Sequence, residues 1–258
     1  MKKVKDIVKG TFAGQMYLKA RDRSNAIKQV KQHKAMLDFY RFFVPVGGAA
    51  FDVGANVGNR VSVFLDLGAR VVAVEPQPAC IEILLEKFAN SDSFTLVNKA
   101  LGQNFGEAEM LQCEASTISS MSKEWIEAVK NSSRFSSYDW SKTIVVPVVT
   151  LDSLIQDFCL PDFIKIDVEG YEYEVVSGLS KDVKAISLEF TPEYLDNCFK
   201  ALDHLQGIGG RLYQLSLAES MKFHFDDWVD LDALKSYLRG TVGDKKLFGD
   251  IYTISQKA

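Results

Sequence analysis

The sequence predicts an α/β domain built on a mostly parallel, doubly wound sheet, and three observations support this. Short apolar strands alternate with helical stretches, the first such strand ends in a glycine-rich turn, and the next one ends in a carboxylate. Alternating strands and helices are typical of parallel sheets with right-handed crossovers. A chain of 258 residues is long enough for one large domain of this class with a substantial core.

Composition narrows the class of protein further. Hydrophobic residues make up 47% of the chain and charged residues 25%, as in globular domains, and no apolar run approaches the ~20 residues of a membrane span. The N-terminus lacks the apolar segment and cleavage site of a secretory signal, so we expect a cytoplasmic protein. Four cysteines lack the spacing of a zinc site or a redox pair, and we expect reduced, mostly buried thiols at Cys80, Cys113, Cys159 and Cys198.

The chain begins with a basic stretch and a predicted helix. Residues 1 to 41 contain eleven Lys or Arg against three Asp or Glu, although the whole chain has a net charge of −4. Helical spacing of apolar residues within 25 to 43 predicts a helix that packs on a core through Ile27, Val30, Met36, Leu37, Tyr40 and Phe43. We assign residues 1–47 to an N-terminal helical extension with a solvated basic face. Docking to an anionic partner and contact in a homodimer remain alternatives.

Strands and helices then alternate along residues 48–258, which we assign to one domain. The first half predicts strand 49–53, helix 58–67, strand 70–74, helix 78–89, strand 94–98 and a hairpin-like strand 107–112. The second half predicts strand 144–148, helix 150–158, strand 162–167, helix 171–179, strand 184–190, helix 192–205, strand 211–215, helix 230–238 and strand 248–255.

One segment, 114–142, interrupts the alternation. It is rich in Ser, contains four aromatic residues, and is long for a plain connection: Trp125, Phe135, Tyr138 and Trp140. We interpret it as a substrate lid with a short helix near 122–131, and a disordered surface loop is the alternative. A lid of this composition suggests a polar acceptor that stacks partly on rings.

The turn after the first strand and the carboxylate after the next one predict a nucleotide-type cofactor site. A strand that turns sharply into a helix needs residues without a Cβ, which Gly54 and Gly58 provide. Glu75 could accept both hydroxyls of an adenosyl ribose, although a carboxylate there could also cap the following helix. The turn lacks the third glycine of the dinucleotide fingerprint G-x-G-x-x-G.

A third signal is a charged pair inside an apolar strand. Lys165 and Asp167 lie two residues apart, and therefore on the same face, within the apolar run that begins at Phe163. Buried charges are costly unless they are paired or used. The sequence leaves open whether Lys165 forms a structural ion pair, with Asp167 or with Glu169, or takes a direct catalytic part.

Six segments together resemble the FkbM-family methyltransferases. They occur in the order seen in that family: FDVGANVG (51–58), VEPQP (74–78), NKALG (98–102), TLDSL (150–154), KIDVEGYE (165–172) and LEFTPE (188–193). The similarity spans residues 48–258, and the first forty residues carry no recognisable motif.

The resemblance implies a Rossmann-like fold with an antiparallel terminal hairpin and S-adenosylmethionine as methyl donor. It also implies O-methylation of a small-molecule acceptor, often a sugar or a secondary metabolite. Carried over by position, the methionine part would contact Asp52, Gly54, Ala55, Asn56 and Gly58. The ribose would contact Glu75 and Pro76, and the adenine would be bordered by Asn98, Ala100 and Leu101, with Asp167 facing the methyl group.

Methyl transfer to a hydroxyl requires in-line placement of the acceptor oxygen and removal of its proton. The candidate catalytic residues are Lys165, Asp167, Glu169 and Glu189. The carboxylates could act as the base or could hold a divalent metal such as Mg²⁺, and the sequence does not decide between them. We interpret His204 and His224 as structural.

Two other functions remain compatible with parts of the sequence. A nicotinamide-dependent oxidoreductase would also use a strand, a glycine turn and a distant carboxylate, but it normally has the third glycine. A binding module without catalytic activity could dock through the basic N-terminal helix. We expect neither a nucleic-acid partner nor a membrane span.

Overall fold

The computed structural model describes residues 27–132, 135–244 and 247–257. The basic residues 1–26, and with them most of the predicted N-terminal docking surface, lie outside this range. The first element is a helix, α1, over residues 27 to 40. The elements up to the inserted segment are β1 (Ala49–Val53), α2 (Asn59–Asp66), β2 (Arg70–Val74), α3 (Pro78–Phe88), β3 (Phe94–Val97), β4 (Ala100–Leu101) and β5 (Gly106–Gln112).

The remaining elements follow the predicted order. They are α4 (Lys123–Asn131), β6 (Lys142–Val149), α5 (Leu151–Asp157), β7 (Phe163–Ile166), α6 (Glu172–Val176), β8 (Ala185–Phe190), α7 (Leu195–Ile208), β9 (Arg211–Leu217), α8 (Leu231–Arg239) and β10 (Gly249–Ser255). Short 3₁₀ turns lie at Ser116–Ile118 and Pro192–Tyr194.

The main sheet has seven strands in the order β3-β2-β1-β7-β8-β10-β9. The first five strands in this order run parallel to one another, whereas β10 runs antiparallel to both β8 and β9. The predicted fold class, including the antiparallel terminal hairpin, is confirmed. Both β1 and β7 are buried at every position, which explains their nearly continuous apolar sequences.

Two predicted strands belong to a separate sheet. Strand β6 pairs antiparallel with β5 and parallel with the short β4, in the order β4-β6-β5. The hairpin-like strand predicted at 107–112 thus pairs antiparallel with the strand predicted at 144–148, in a sheet that the sequence pattern did not distinguish from the main one. In β6, Val146 and Val148 are buried while Val145 is exposed, so this sheet covers the core with one face only.

Helix α1 packs into the core of the domain. Tyr40 and Phe43 are buried against Phe163 of β7 and Tyr252 of β10, and Phe43 stacks on both rings at 5.1 and 5.0 Å between centroids. The predicted apolar face is shorter than expected, because Ile27 and Val30 are exposed. Much of the apolar surface proposed for a dimer contact is thus used within the chain.

The inserted segment has a small core of its own. Helix α4 and the flanking turns bury five apolar side chains together: Ile118, Trp125, Ile126, Val129 and Trp140. The indole of Trp140 donates a hydrogen bond of 2.6 Å to the Ile118 carbonyl. The predicted short helix is present, and the described part of the segment is folded.

All four cysteines are free thiols, and Cys80 and Cys198 are buried. Among the described residues, none of the helices has the length and apolar character needed to cross a bilayer.

Replacing Phe43 tests whether α1 and its C-terminal turn belong to the core. Phe43→Ala is expected to lower the free energy of unfolding by about 3 to 5 kcal/mol, because its ring is 2% exposed and a cavity would remain. The neighbouring Phe42→Ala is the matched control, since Phe42 is 58% exposed and should lose much less. Urea denaturation measures both, and equal losses would contradict this packing.

Candidate functional site

A cavity of about 260 Å³ opens where β1, β2 and β7 end. Strand β1 lies between β2 and β7, so the order of strands reverses at this point of the sheet. Ligands of open α/β sheets bind at such reversals, beyond the carboxyl ends of the strands. The position of the cavity follows from the topology.

The wall of the cavity depends on a close backbone approach between β1 and β7. A Cβ added to Gly54 would lie 1.9 Å from the carbonyl oxygen of Asp167, and Gly54 has a φ of +82°. Both conditions require glycine. The amides of Gly54 and Ala55 donate to the carbonyl of Val74 at 2.9 and 3.1 Å, which ties the turn to β2.

Glu75 joins the ends of two elements through its carboxylate. The group is 2% exposed and accepts hydrogen bonds of 2.8 Å from the amides of Asn56 and Gln77. Burial raises its pKa, and the two amide donors oppose the shift. The interpretation as a helix cap therefore holds in part, because Gln77 precedes α3. Each carboxylate oxygen retains a lone pair for a ligand hydroxyl.

Asp52 carries an unsatisfied carboxylate oxygen at the cavity. The residue is 2% exposed, and its Oδ2 is buried without a hydrogen-bond partner among the described residues. Burial raises the pKa of Asp52 to about 6, although Lys165 and Arg60 favour its charged form. An unpaired buried carboxylate oxygen is costly, so this atom suits a ligand that donates a hydrogen bond.

Lys165 pairs with Asp167, which is one of the two ion pairs that the sequence left open. The Lys165 Nζ lies 2.6 Å from Asp167 Oδ2 and 4.0 Å from Asp250 Oδ1. Burial disfavours the charged form of Lys165, but Asp167 and Asp250 outweigh it and raise the pKa of this ammonium. Burial likewise opposes ionisation of Asp167, yet Lys165 holds the pKa of that carboxyl below its usual value.

Asp167, Glu169 and Glu189 bring carboxylate oxygens within 4.8 Å of one another. Burial and then repulsion from Asp167 and Glu172 raise the pKa of Glu169 well above its usual value. Burial and then repulsion from Glu169 and Asp167 do the same for Glu189. This acidic group can hold a proton, and its spacing would also suit a divalent cation.

The turn that carries Glu169 is fixed from two sides. Glu172 accepts hydrogen bonds of 3.2 Å from the amides of Val168 and Gly170, and Ser120 donates one of 2.6 Å to the Glu169 carbonyl. Glu169 itself has a φ of +54°, which is costly for a residue with a side chain. The sequence motif contained Glu172, but nothing in the motif indicated this role.

The inserted segment contributes mainly small polar residues to the site. Ser116, Thr117 and Ser119 line the cavity, together with the apolar Met121. Trp125 and Trp140 are 1% and 6% exposed, so the expectation that these rings stack on a substrate is wrong for both. Both rings are instead buried in the small core of the segment. Trp125 packs so closely on Gly170 that a Cβ added to Gly170 would lie 2.3 Å from the Trp125 side chain.

Ser116 also bridges the glycine turn after β1 and the residue that precedes α3. Its carbonyl accepts a hydrogen bond of 3.1 Å from Gln77 Nε2, and its hydroxyl accepts one of 3.3 Å from Asn56 Nδ2. Neither Gln77 nor Ser116 belonged to the predicted site.

Most of the predicted site residues meet at this cavity. The lining includes Asp52, Gly54, Ala55, Asn56, Glu75, Pro76, Ala100, Leu101, Lys165, Asp167, Glu169 and Glu189. Gly58 and Asn98 are not part of the lining. Gly58 precedes α2 and packs on Leu84 and Phe88, where a Cβ would clash, and Asn98 is exposed to solvent. Sequence reasoning missed Arg60, Tyr171 and Glu219, which line the cavity as well.

The raised pKa of Glu172 predicts a pH dependence of stability. Burial raises this pKa to about 7, against about 4.3 in an unfolded chain. The native state therefore binds more protons between these values, and the free energy of unfolding falls as the pH rises from 5 to 8. Glu172→Gln keeps an acceptor for both amides and should reduce this fall by about 1 to 3 kcal/mol. Urea denaturation at both pH values measures it.

The control is Glu109→Gln, at an exposed position on β5, which should follow the wild type. An unchanged pH dependence in Glu172→Gln would show that Glu172 does not titrate as described.

Comparison with known proteins identifies the family to which the chain belongs. The family model described as "Methyltransferase FkbM domain" matches residues 52–239. A chloroplastic ribosomal RNA small subunit methyltransferase of Arabidopsis thaliana is 32% identical over 56 residues. That match covers 22% of this chain and only 16% of the relative.

Several solved structures resemble the chain at low identity. A precorrin-6Y C5,15-methyltransferase from Geobacter metallireducens has a TM-score of 0.46 at 14% identity, with 86% of this chain and 88% of that chain covered. A TehB-like S-adenosylmethionine-dependent methyltransferase from Corynebacterium glutamicum has a TM-score of 0.42 at 10% identity, with 92% and 99% covered. The family match spans most of the chain and includes the ends of β1, β2 and β7 that form the cavity, and the chain belongs to the FkbM methyltransferase domain family.

Proposed function

We propose that the protein transfers a methyl group from S-adenosylmethionine to a hydroxyl of a small-molecule acceptor, such as a sugar or a secondary metabolite. The observation that carries the proposal is one cavity that joins the unsatisfied Asp52 carboxylate, the Glu75 carboxylate and the acidic group around Asp167. Membership of the FkbM family supports the reaction type.

The residues present fit the cofactor. The buried Oδ2 of Asp52 would accept a hydrogen bond from the ammonium group of the cofactor, and Glu75 would accept hydrogen bonds from the two ribose hydroxyls. Ala100, Leu101 and Met110 provide apolar lining for the adenine. When bound, the cofactor supplies an electrophilic methyl carbon on a sulfonium.

Glu169 is the proposed general base. Asp167 is held ionised by Lys165 and has a low proton affinity, whereas the pKa values of Glu169 and Glu189 are raised. Glu169 would take the proton of the acceptor hydroxyl as the new O–C bond forms and the C–S bond breaks. A positive sulfonium nearby would lower the pKa of Glu169 and favour its ionised form. A divalent cation held by the same carboxylates is the alternative source of proton removal.

The acidic character of the cavity disfavours two other ligands. Six acidic side chains line it, from Asp52, Glu75, Asp167, Glu169, Glu189 and Glu219, against three basic ones, from Arg60, Lys99 and Lys165. This acidic excess is unfavourable for the pyrophosphate of a nicotinamide dinucleotide and for the phosphates of an RNA acceptor. The polar rim at Ser116, Thr117 and Ser119 suits hydroxyl-rich acceptors.

Loss of the Glu75 carboxylate tests the cofactor assignment. Glu75→Ala is expected to weaken the affinity for S-adenosylmethionine by about 10- to 100-fold, because hydrogen bonds to charged groups contribute about 1.5 to 3 kcal/mol. Isothermal titration calorimetry measures this, with the exposed Glu82→Ala on α3 as control. Saturable binding of NAD without any response to S-adenosylmethionine would refute the proposed function.

Replacement of Glu169 tests the base. Incubation of candidate acceptors with isotopically labelled donor, followed by mass spectrometry, identifies the acceptor and the methylated position. With that acceptor, Glu169→Gln should lower the rate constant by about 10² to 10⁴, because general bases contribute factors of that size. Its affinity for the donor should remain within a few-fold of wild type. Full activity of Glu169→Gln, or loss of wild-type activity in chelator, would contradict its role as the base.

A further inference from the structure

Arg60 is a buried cation at the cavity whose acceptors are weak. Its side chain is 12% exposed. Its Nε donates to the Tyr40 hydroxyl at 3.1 Å, its Nη1 to the Met36 sulfur at 3.0 Å, and its Nη2 to Glu219 Oε1 at 3.4 Å. A thioether is a poor acceptor, and charge-assisted hydrogen bonds are usually 2.7 to 2.9 Å long. Nη1 and Nη2 of Arg60, which in other proteins often bind a carboxylate together, thus make only weak hydrogen bonds here.

Glu219 is the exposed partner in this contact, whereas the guanidinium of Arg60 is largely buried. Its side chain is 51% exposed, and it lies in the turn after β9, between Ala218 and Met221. Its second oxygen accepts a hydrogen bond from Gln32 of α1. Water can solvate Glu219 if it leaves Arg60, so exchange for another carboxylate costs little.

Resting on the proposed function, we propose that Arg60 binds the carboxylate of the cofactor's amino acid end, and that Glu219 occupies Arg60 until the cofactor displaces it. The cavity would then provide a partner for each of the two charged groups of the cofactor's amino acid end. Asp52 offers an unsatisfied oxygen to the ammonium, and Arg60, in the first turn of α2, offers a guanidinium to the carboxylate. The positive end of a helix also favours an anion there.

Displacement of Glu219 by the cofactor carboxylate would explain why Arg60, which belongs to no sequence motif, lies beside the glycine turn. Arg60 follows Gly58 by two residues, so the turn that admits the cofactor also fixes the start of the helix that carries the guanidinium. Because the carboxylate of Glu219 is supplied by the chain itself, it competes with the ligand. Removing Glu219 should strengthen cofactor binding, whereas removing Arg60 should weaken it.

The test compares S-adenosylmethionine with decarboxylated S-adenosylmethionine, which lacks only the carboxylate. Calorimetry on the full chain gives both dissociation constants for wild type, Arg60→Met, Glu219→Gln and the double variant. Arg60→Met should weaken S-adenosylmethionine by about 10-fold or more and leave the decarboxylated ligand unchanged or tighter. Glu219→Gln should tighten S-adenosylmethionine about 3-fold or more, and this gain should vanish in the double variant.

Lys99→Met is the matched control, because Lys99 also lines the cavity but lies beside β4. It should change both affinities by the same factor. Weakening of both ligands by the same factor in Arg60→Met, or weaker S-adenosylmethionine binding in Glu219→Gln, would overturn the assignment of Arg60 and Glu219 alone. A wild-type protein that binds neither ligand would overturn the proposed function as well. Since Glu219 is exposed, its variant remains informative even if Arg60→Met unfolds.

Discussion

The site depends on one backbone contact, the meeting of the ends of β1 and β7. Gly54 approaches the Asp167 carbonyl so closely that no side chain fits between them. This contact places the end of β1 against the end of β7, so that Asp52 and Asp167 reach the same cavity. It also directs the chain through Asn56, which has a φ of +46°, towards α2. A larger residue at 54 would separate the strands and with them the charges on which any chemistry here relies.

Pairing of charges then decides what each acidic residue can do. Lys165 neutralises Asp167 at 2.6 Å, while no cation lies within ion-pair distance of Glu169 or Glu189 among the described residues. The ends of β7 and β8 thus bring together a carboxylate that stays ionised and two neighbours whose pKa values are raised. A cationic ligand such as a sulfonium would favour the ionised forms of Glu169 and Glu189. The inserted segment holds the turn of Glu169 in place, because Ser120 donates a hydrogen bond to the Glu169 carbonyl and Trp125 packs on Gly170.

Much of the fold could be predicted because the buried strands have unmistakable patterns. The predicted range of β1 agrees with the structure, and that of β7 differs by one residue at each end, since both strands are buried on both faces. The two strands that flank the insertion were predicted, but not the separate sheet that they form, because a strand pattern does not specify its partner. In the site, residues inside motifs were found, such as Asp52, Glu75 and Asp167. Arg60 and Glu219 were missed, since their contact joins positions 159 residues apart and leaves no local pattern.

The central claim is that the cavity between the ends of β1, β2 and β7 holds S-adenosylmethionine with its methyl group towards the acidic residues. A crystal structure of the protein grown with saturating S-adenosylmethionine tests it most directly. We expect ligand density with the ribose hydroxyls on Glu75, the ammonium on Asp52 and the methyl group facing Asp167 and Glu169. Density for the cofactor elsewhere on the molecule, or in this cavity with the adenine end at Asp167, would contradict it.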